Sequence, residues 1–344
     1  MKSLELYSKN DIEQLTRKRT NETKIGENVI VLKLEKKWEE ELSKSNCQFV
    51  LLGIPEDIGV RANYGREGAH TAWMPALDSF LNQQSNEFLN GKEICVLGHI
   101  YVNDVMKTSN HLNVNNKNEL QELRKLVEVI DKRVSEIVSK IISCGKIPII
   151  VGGGHNNSYP IIKGCSMALS KKINVINCDT HTDFRSLEGR HSGNGFSYAY
   201  QENYMNNYSV FCMHEQYNTQ SVLKNFAENQ QHLYYSTYED VFVRENKTFA
   251  DTLNQNIGFV KRDECGVEID LDAITNVPSS AKTSCGISPI QARQYAHQTA
   301  KQLNTLYFYI AEGAPILSHI KADNKTGNLI TYLISDFIKG VKEK

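Results

Sequence analysis

The chain has 344 residues, 40% of them hydrophobic and 23% charged, the make-up of a folded globular protein and not of a disordered or fibrous one. Its 39 Lys and Arg stand against 40 Asp and Glu for a net charge of −1, so no basic excess draws it to phosphate backbones or anionic lipid, and neither nucleic acid nor membrane is expected as a partner. No apolar run approaches the roughly 20 residues that span a bilayer, and residues 1–19 are too charged for a signal peptide, which predicts a cytoplasmic location. The eight cysteines form no CxxC pair; buried, reduced thiols are expected in place of a disulfide framework or a zinc site.

In chain order, residues 1–46 are polar, charged and partly helical, and read as a surface extension or an oligomer contact. From residue 47 to 344 the pattern is that of one domain. Short apolar runs at 49–53, 94–97, 147–151, 173–176, 209–212, 265–269 and 306–310 suit parallel strands covered on both faces. A long helix is predicted where Leu120, Leu123, Val127, Ile130, Val134, Ile137 and Ile141 recur at spacings of three and four, with Gly145 as its stop and Pro148 beyond. Ser288-Pro289-Ile290-Gln291 has the order of an N-cap hydroxyl, a first-turn proline and a capping-box glutamine. The last helix, about 328–341, gathers Leu329, Ile330, Leu333, Phe337 and Ile338 on one face. Strand alternating with helix predicts a three-layer α/β/α fold around a doubly wound, mostly parallel sheet.

In such a sheet, ligands sit at the carboxyl ends of the strands. The segments at the ends of these runs are rich in acid and imidazole: Gly152-Gly153-Gly154-His155, then Asp179-Thr180-His181-Thr182-Asp183, then Asp270-Leu271-Asp272, then Glu312. In extended backbone, residues at i, i+2 and i+4 point to one side, so Asp179, His181 and Asp183 fall together, as do Asp270 and Asp272. A glycine-rich turn or an Asp-x-Asp alone reads equally as a loop former or helix cap. At three strand ends at once, four carboxylates and two imidazoles converge, and crowded carboxylates need a compensating cation. Mixed N/O ligation suits a borderline-hard divalent ion such as Mn2+, and so many anionic ligands imply two ions bridged by shared carboxylates and a hydroxide.

These motifs, with His-Ser-Gly-Asn at 191–194 and the stretch Asp-Ile-Gly-Val-Arg-Ala-Asn-Tyr-Gly-Arg-Glu-Gly-Ala at 57–69, make the chain resemble the ureohydrolase superfamily of arginase, agmatinase and formimidoylglutamase from about residue 47 to 340. The resemblance implies two Mn2+ ions per chain, one held by His155, Asp179, Asp183 and Asp270 and the other by Asp179, His181, Asp270 and Asp272. Asp179 and Asp270 then bridge, Asp183 orients the attacking hydroxide, and Glu312 fixes a cationic guanidinium or formimidinium. Assembly as a trimer or hexamer is implied as well.

Within the superfamily the chain departs from arginase. Phe196 stands where the arginase pattern has a proton-shuttling histidine, and Arg185 where it has a neutral Asn. An arginine offers a fork to a carboxylate. This looks more like formimidoylglutamase, which releases L-glutamate and formamide from N-formimidoyl-L-glutamate in histidine degradation. Arg185, Ser192 and Asn194, helped by Arg61 or Arg66, are expected to bind the substrate's carboxylates, and His191 to deliver a proton. Cys178 adjoins a ligand but points to the opposite face, as packing. Another ureohydrolase acting on a guanidino substrate is the alternative, and a non-catalytic metal-binding homologue a third reading.

Overall fold

The computed structural model describes residues 2–318 and 324–344. Nine strands form one sheet: β1 (Leu4–Leu6), β2 (Phe49–Gly53), β3 (Ile94–Ile100), β4 (Ile147–Val151), β5 (Ile173–Cys178), β6 (Met205–Met213), β7 (Leu233–Thr237), β8 (Cys265–Asp270) and β9 (Thr305–Ala311). Their spatial order is β1-β3-β2-β4-β9-β8-β5-β6-β7. All pairings are parallel except that of β1 with β3.

Alternation along the strands feeds two cores. Phe49, Leu51, Ile149, Val151, Val267, Ile269, Phe308 and Ile310 enter one; Val50, Leu52, Ile150, Tyr307 and Tyr309 enter the other. Helices Trp73–Leu81, Phe249–Val260, Pro289–Gln302 and Lys325–Lys342 close the first face. Helices Lys117–Ser143, Ser158–Leu169, Gly195–Gln201 and Gln220–Glu228 close the second. The three-layer α/β/α reading holds, and strands apolar on both sides follow from it. The capping box is formed as the residues predict: the Ser288 hydroxyl accepts from Gln291 N–H at 3.2 Å and Gln291 Oε1 from Ser288 N–H at 2.8 Å.

Residues 1–46 do more than extend from the surface. β1 pairs antiparallel with β3 and closes that edge of the sheet, Ile12 and Ile25 enter the first core, and Tyr7 Oη accepts from Trp73 Nε1 at 2.9 Å. Three-residue β1 is too short to show an alternation of its own, and β7, with two tyrosines among its five residues, carries too little apolar character. The cysteines are free, six of the eight buried. Among the described residues, no helix is long and apolar enough to cross a membrane.

The order of the central strands matters most. β8 and β9 insert between β4 and β5, so β4, β9, β8 and β5 are neighbours with their carboxyl ends on one edge. Helices after β4 and β5 lie on one face and those after β8 and β9 on the other. The strand order therefore reverses where a ligand crevice is expected.

Candidate metal centre and cleft

After β4 the chain turns through Gly152 and Gly153, whose φ values of 88° and 78° favour glycine. His155 then starts a short 3-10 turn, and its backbone N–H donates to Glu312 Oε1 at 2.9 Å while Glu312 N–H donates to Gly153 O at 3.0 Å. The ends of β4 and β9 are thus stitched together. Beneath them lies Glu56, fully buried, which accepts from Gly154 N–H (3.1 Å), Ile58 N–H (2.8 Å) and the side-chain amide of Asn157 (2.6 Å).

The six residues predicted as ligands converge. His155 Nδ1 stands 3.0 Å from Asp183 Oδ2, 3.1 Å from Asp179 Oδ2 and 3.2 Å from Asp270 Oδ2. His181 Nδ1 stands 3.2 Å from Asp272 Oδ2 and 3.4 Å from Asp179 Oδ1. Asp179 therefore turns one oxygen to each group. Asp270 stands in the first group, and its Oδ1 accepts from Asp272 N–H at 2.7 Å just as Asp179 Oδ1 accepts from His181 N–H at 2.7 Å. Strand alternation aims Asp179 and Asp270 alone, because β5 ends at Cys178 and β8 at Asp270. Asp183 reaches the cluster through a left-handed backbone with φ 45°, and Asp272 through a 3-10 turn. Glu312 is left-handed too, at φ 62°. Strained backbone of this kind gathers at functional sites.

The electrostatics call for a cation. Burial, then the charge of Asp179, pushes Asp183 up to about 6, and burial with Asp272 and Asp179 raises Asp270 well above the usual carboxylate range. Burial also opposes ionisation of Asp179, but the imidazoles of His155 and His181 beside it outweigh burial and hold that carboxyl low. His155 Nε2 faces Glu268 Oε2 at 3.2 Å, while buried Nδ1 has no hydrogen-bond partner although three carboxylate oxygens surround it. With the proton on Nε2, Nδ1 presents a lone pair to those oxygens, which is the arrangement a divalent ion completes. The donor atoms of each group lie within 4.8 Å of one another.

Above the cluster opens a cavity of about 540 Å³. Asp183, Asp270, Asp272 and Glu312 line its floor; Arg185, Asn63 and Ser192 line a wall. Glu312 is 3% exposed, and its Oε2 accepts from the Ser280 hydroxyl at 2.6 Å. Burial, against the opposing hydrogen bonds of Ser280 and His155 N–H and with added push from Asp272 and Asp183, raises Glu312 to about 8. Arg185 donates to Asn63 Oδ1 at 2.7 Å and Glu188 Oε1 at 3.1 Å.

The sequence profile of the Arginase family matches residues 47–339, which span both ligand groups, Glu312 and the cavity. The chain belongs to the arginase family. It is 25% identical over 296 residues to formimidoylglutamase of Streptococcus gordonii, a match covering 83% of this chain and 82% of that protein. Among solved structures, formimidoylglutamase from Bacillus subtilis superposes with a TM-score of 0.74 at 17% identity, covering 95% of this chain and 94% of that one. Trypanosoma cruzi formiminoglutamase with Mn2+ superposes at 0.69 and 18% identity, covering 93% and 98%. At such identities the superpositions speak for the arginase-family fold.

Against this fold, several residues expected at the substrate end lie elsewhere. Arg61 is spent on Ser109 Oγ (3.0 Å), Ser109 O (2.7 Å) and Leu112 O (3.2 Å). Arg66 clamps Ser280 O (3.0 Å) and Ser279 O (3.2 Å), supporting the loop that carries the Glu312 partner. Asn194 is buried, with its amide donating to Ser186 O and Gly189 O and its oxygen accepting from Arg190 and His191 N–H. His191 is no exposed proton carrier: it is buried, accepts from Gly193 N–H, and burial reinforced by Arg185, Arg124 and Arg190 lowers it to about 3. Phe196 lies edge-on to His155 at 5.3 Å and stacks on Tyr208 at 4.3 Å, a wall of the second core. Cys178 packs in the first core, on the face predicted.

Sequence reasoning missed four supports. Glu268 contacts His155, Ser280 holds Glu312, and Asn63 holds Arg185. Buried Arg190 pairs with Asp131 at 2.9 Å, sits between the rings of Tyr159 and Tyr198, and donates to Asn156 O, beside His155. Glu268 did leave a signal, a carboxylate inside an apolar strand two residues before Asp270. For Arg190 and Asp131, far apart in sequence, none existed.

Proposed function

We propose that the chain hydrolyses a linear amidine whose body carries carboxylate, N-formimidoyl-L-glutamate foremost, to L-glutamate and formamide. One observation carries the reading: a single cavity is lined by His181, Asp183, Asp270 and Asp272 of the carboxylate–imidazole cluster, by Glu312 and by an arginine, Arg185. His155, Asp179, Asp183 and Asp270 would hold one divalent ion and Asp179, His181 and Asp272 a second, Mn2+ by the chemistry of the donors and by analogy with the Trypanosoma cruzi relative solved with that ion. Two such ions supply the Lewis acidity that makes hydroxide available at neutral pH. Asp183 accepts a hydrogen bond from the attacking oxygen and orients it. Glu312, raised to about 8 by burial and by the charges of Asp272 and Asp183 when no cation is near, would be held ionised by the divalent ions and the cationic substrate; it then binds the formimidinium through a charge-assisted hydrogen bond, and Arg185, seconded by Asn63 and Ser192, binds a carboxylate. Addition of water to the carbon and cleavage of its bond to the substituted nitrogen leave formamide and the free amine of glutamate.

The reading places the reaction in histidine degradation, in the cytoplasm, and a trimer or hexamer as the assembly. Among the described residues only one arginine lines the cavity, and this favours a guanidino acid with a single carboxylate as the second reading. Protein loaded with Mn2+ and offered formimidoylglutamate, a guanidino acid, arginine and agmatine separates them. Formimidoylglutamate is expected to be turned over best, and turnover of arginine or agmatine with no action on formimidoylglutamate refutes the proposal.

A further inference from the structure

Glu268 is the only charged residue in β8 before its terminal Asp270, and it is fully buried. Its Oε1 accepts from Tyr307 Oη at 2.5 Å; its Oε2 accepts from Ser158 Oγ at 2.5 Å and faces His155 Nε2 at 3.2 Å. Among the described residues no lysine or arginine pairs with it; the one basic side chain within ion-pair distance is His155. A buried carboxylate with no cationic partner costs several kcal/mol by desolvation, about the amount that well-packed apolar residues avoid, so the fold alone gives no reason to keep one here. The imidazole of His155 is also held by rings, Phe196 edge-on at 5.3 Å and Tyr309 at 5.9 Å. It cannot swing away from the line that joins Glu268, on its Nε2, to the carboxylates of Asp179, Asp183 and Asp270, on its Nδ1.

We propose that Glu268 is a positioning residue of the metal centre: by accepting the Nε2 proton of His155 it fixes the tautomer that leaves Nδ1 free and strengthens Nδ1 as a donor, and so sets the affinity of the His155 group of ligands and not of the His181 group. A carboxylate behind a ligating imidazole acts this way in general, and its loss weakens metal binding about 10–100-fold. His181 is supported differently. Its Nδ1 meets Thr180 Oγ1 at 3.0 Å and its ring stacks on half-exposed Tyr217, and among the described residues no carboxylate bonds its Nε2. The two groups should therefore differ in their response to one substitution. The inference rests on the reading that divalent ions occupy the cluster.

The test is a Mn2+ titration of stripped, full-length protein followed by electron paramagnetic resonance, comparing wild type with Glu268→Gln and Tyr307→Phe. Two ions are expected to bind wild type. In Glu268→Gln one of them should bind about 10–100-fold more weakly and the other unchanged. Tyr307→Phe disturbs the same pocket but keeps the carboxylate, and should leave both affinities unchanged. Equal weakening of both ions in Glu268→Gln, an effect of Tyr307→Phe as large as that of Glu268→Gln, or no effect of Glu268→Gln overturns the inference. Wild type that binds no Mn2+ overturns instead the reading on which it rests. Should Glu268→Gln fail to fold, proton NMR of wild type loaded with diamagnetic Zn2+ decides: a His155 Nε2–H shifted far downfield by its hydrogen bond to the Glu268 carboxylate is expected, and an ordinary shift refutes the role.

Discussion

Replacing Glu312 by Gln tests the substrate end of the cleft with the least disturbance to the fold. The Glu312 carboxylate has two protein partners, the His155 N–H at 2.9 Å and the Ser280 hydroxyl at 2.6 Å. A glutamine of the same shape keeps its oxygen on the N–H and turns its NH2 to Ser280, whose hydroxyl rotates from donor to acceptor. Stability should therefore shift by less than about 1 kcal/mol, the more so because a buried carboxylate crowded by Asp272 and Asp183 is removed. What the amide cannot supply is charge. A hydrogen bond to a charged group contributes about 1.5–3 kcal/mol against about 0.5–1.5 for a neutral one, and lost Coulomb attraction to a cationic amidine raises the deficit to about 2–3 kcal/mol. At 1.36 kcal/mol per factor of ten, kcat/KM for formimidoylglutamate falls about 30–150-fold. Steady-state kinetics beside denaturant unfolding measure both quantities. A kcat/KM within about twofold of wild type would show that Glu312 does not hold the cation, and a large loss of stability would show that Ser280 cannot change roles.

Three more outcomes rest on the same contacts. Arg185→Lys should raise KM about tenfold with little change in kcat, because the fork to a carboxylate is lost, whereas Arg61→Lys, at a residue that does not line the cavity, should leave KM alone; equal effects would remove Arg185 from the substrate site. Asp131→Ala leaves Arg190 buried without its counter-charge and should destabilise by about 3–5 kcal/mol in denaturant unfolding; a cost under about 1 kcal/mol would mean that the tyrosines flanking Arg190 suffice. His191 takes up a proton near pH 6.5 when unfolded but only at about 3 when folded, so its contribution is full above pH 6.5 and is lost as pH falls toward 3. His191→Gln should accordingly move the acid-unfolding midpoint to lower pH while leaving the pH profile of turnover near neutrality in place; a profile that moves would restore His191 as a proton carrier.

The strands, their two-sided burial and the ligand residues were legible because periodicity and strand-end position are local properties. Asp179 and Asp270 follow from alternation, and Ser288 with Gln291 from a capping rule. Asp183 was found for a reason that turned out incomplete: alternation stops at Cys178, and a left-handed turn completes the approach. β1 escaped because three residues carry no period, and Glu268 because an otherwise apolar run hides one carboxylate. Arg61 and Arg66 were the real failure. Each stands in the same motif, yet a long side chain finds its partner through tertiary structure, and Ser109 and Ser279 are far away in sequence.

That failure has a physical pattern. Ligands sit at the ends of three strands, β4, β5 and β8, where the sheet holds them, whereas the substrate wall is made of loops that have no sheet of their own. Arginines stiffen those loops by donating to backbone carbonyls: Arg61 to Ser109 O and Leu112 O, Arg66 to Ser279 O and Ser280 O, Arg124 to Glu188 O, Arg190 to Asn156 O. A guanidinium with several donors suits that task. Arg185 differs in pairing with side chains alone, Asn63 and Glu188, in a half-exposed setting where an ion pair is worth about 0–1 kcal/mol. An incoming carboxylate can therefore displace Glu188 at little cost, while the struts cannot be recruited without loosening a loop. Substrate choice in this chain should change through Arg185 and its neighbours Asn63 and Glu188, and the strand-end ligands should tolerate no such change.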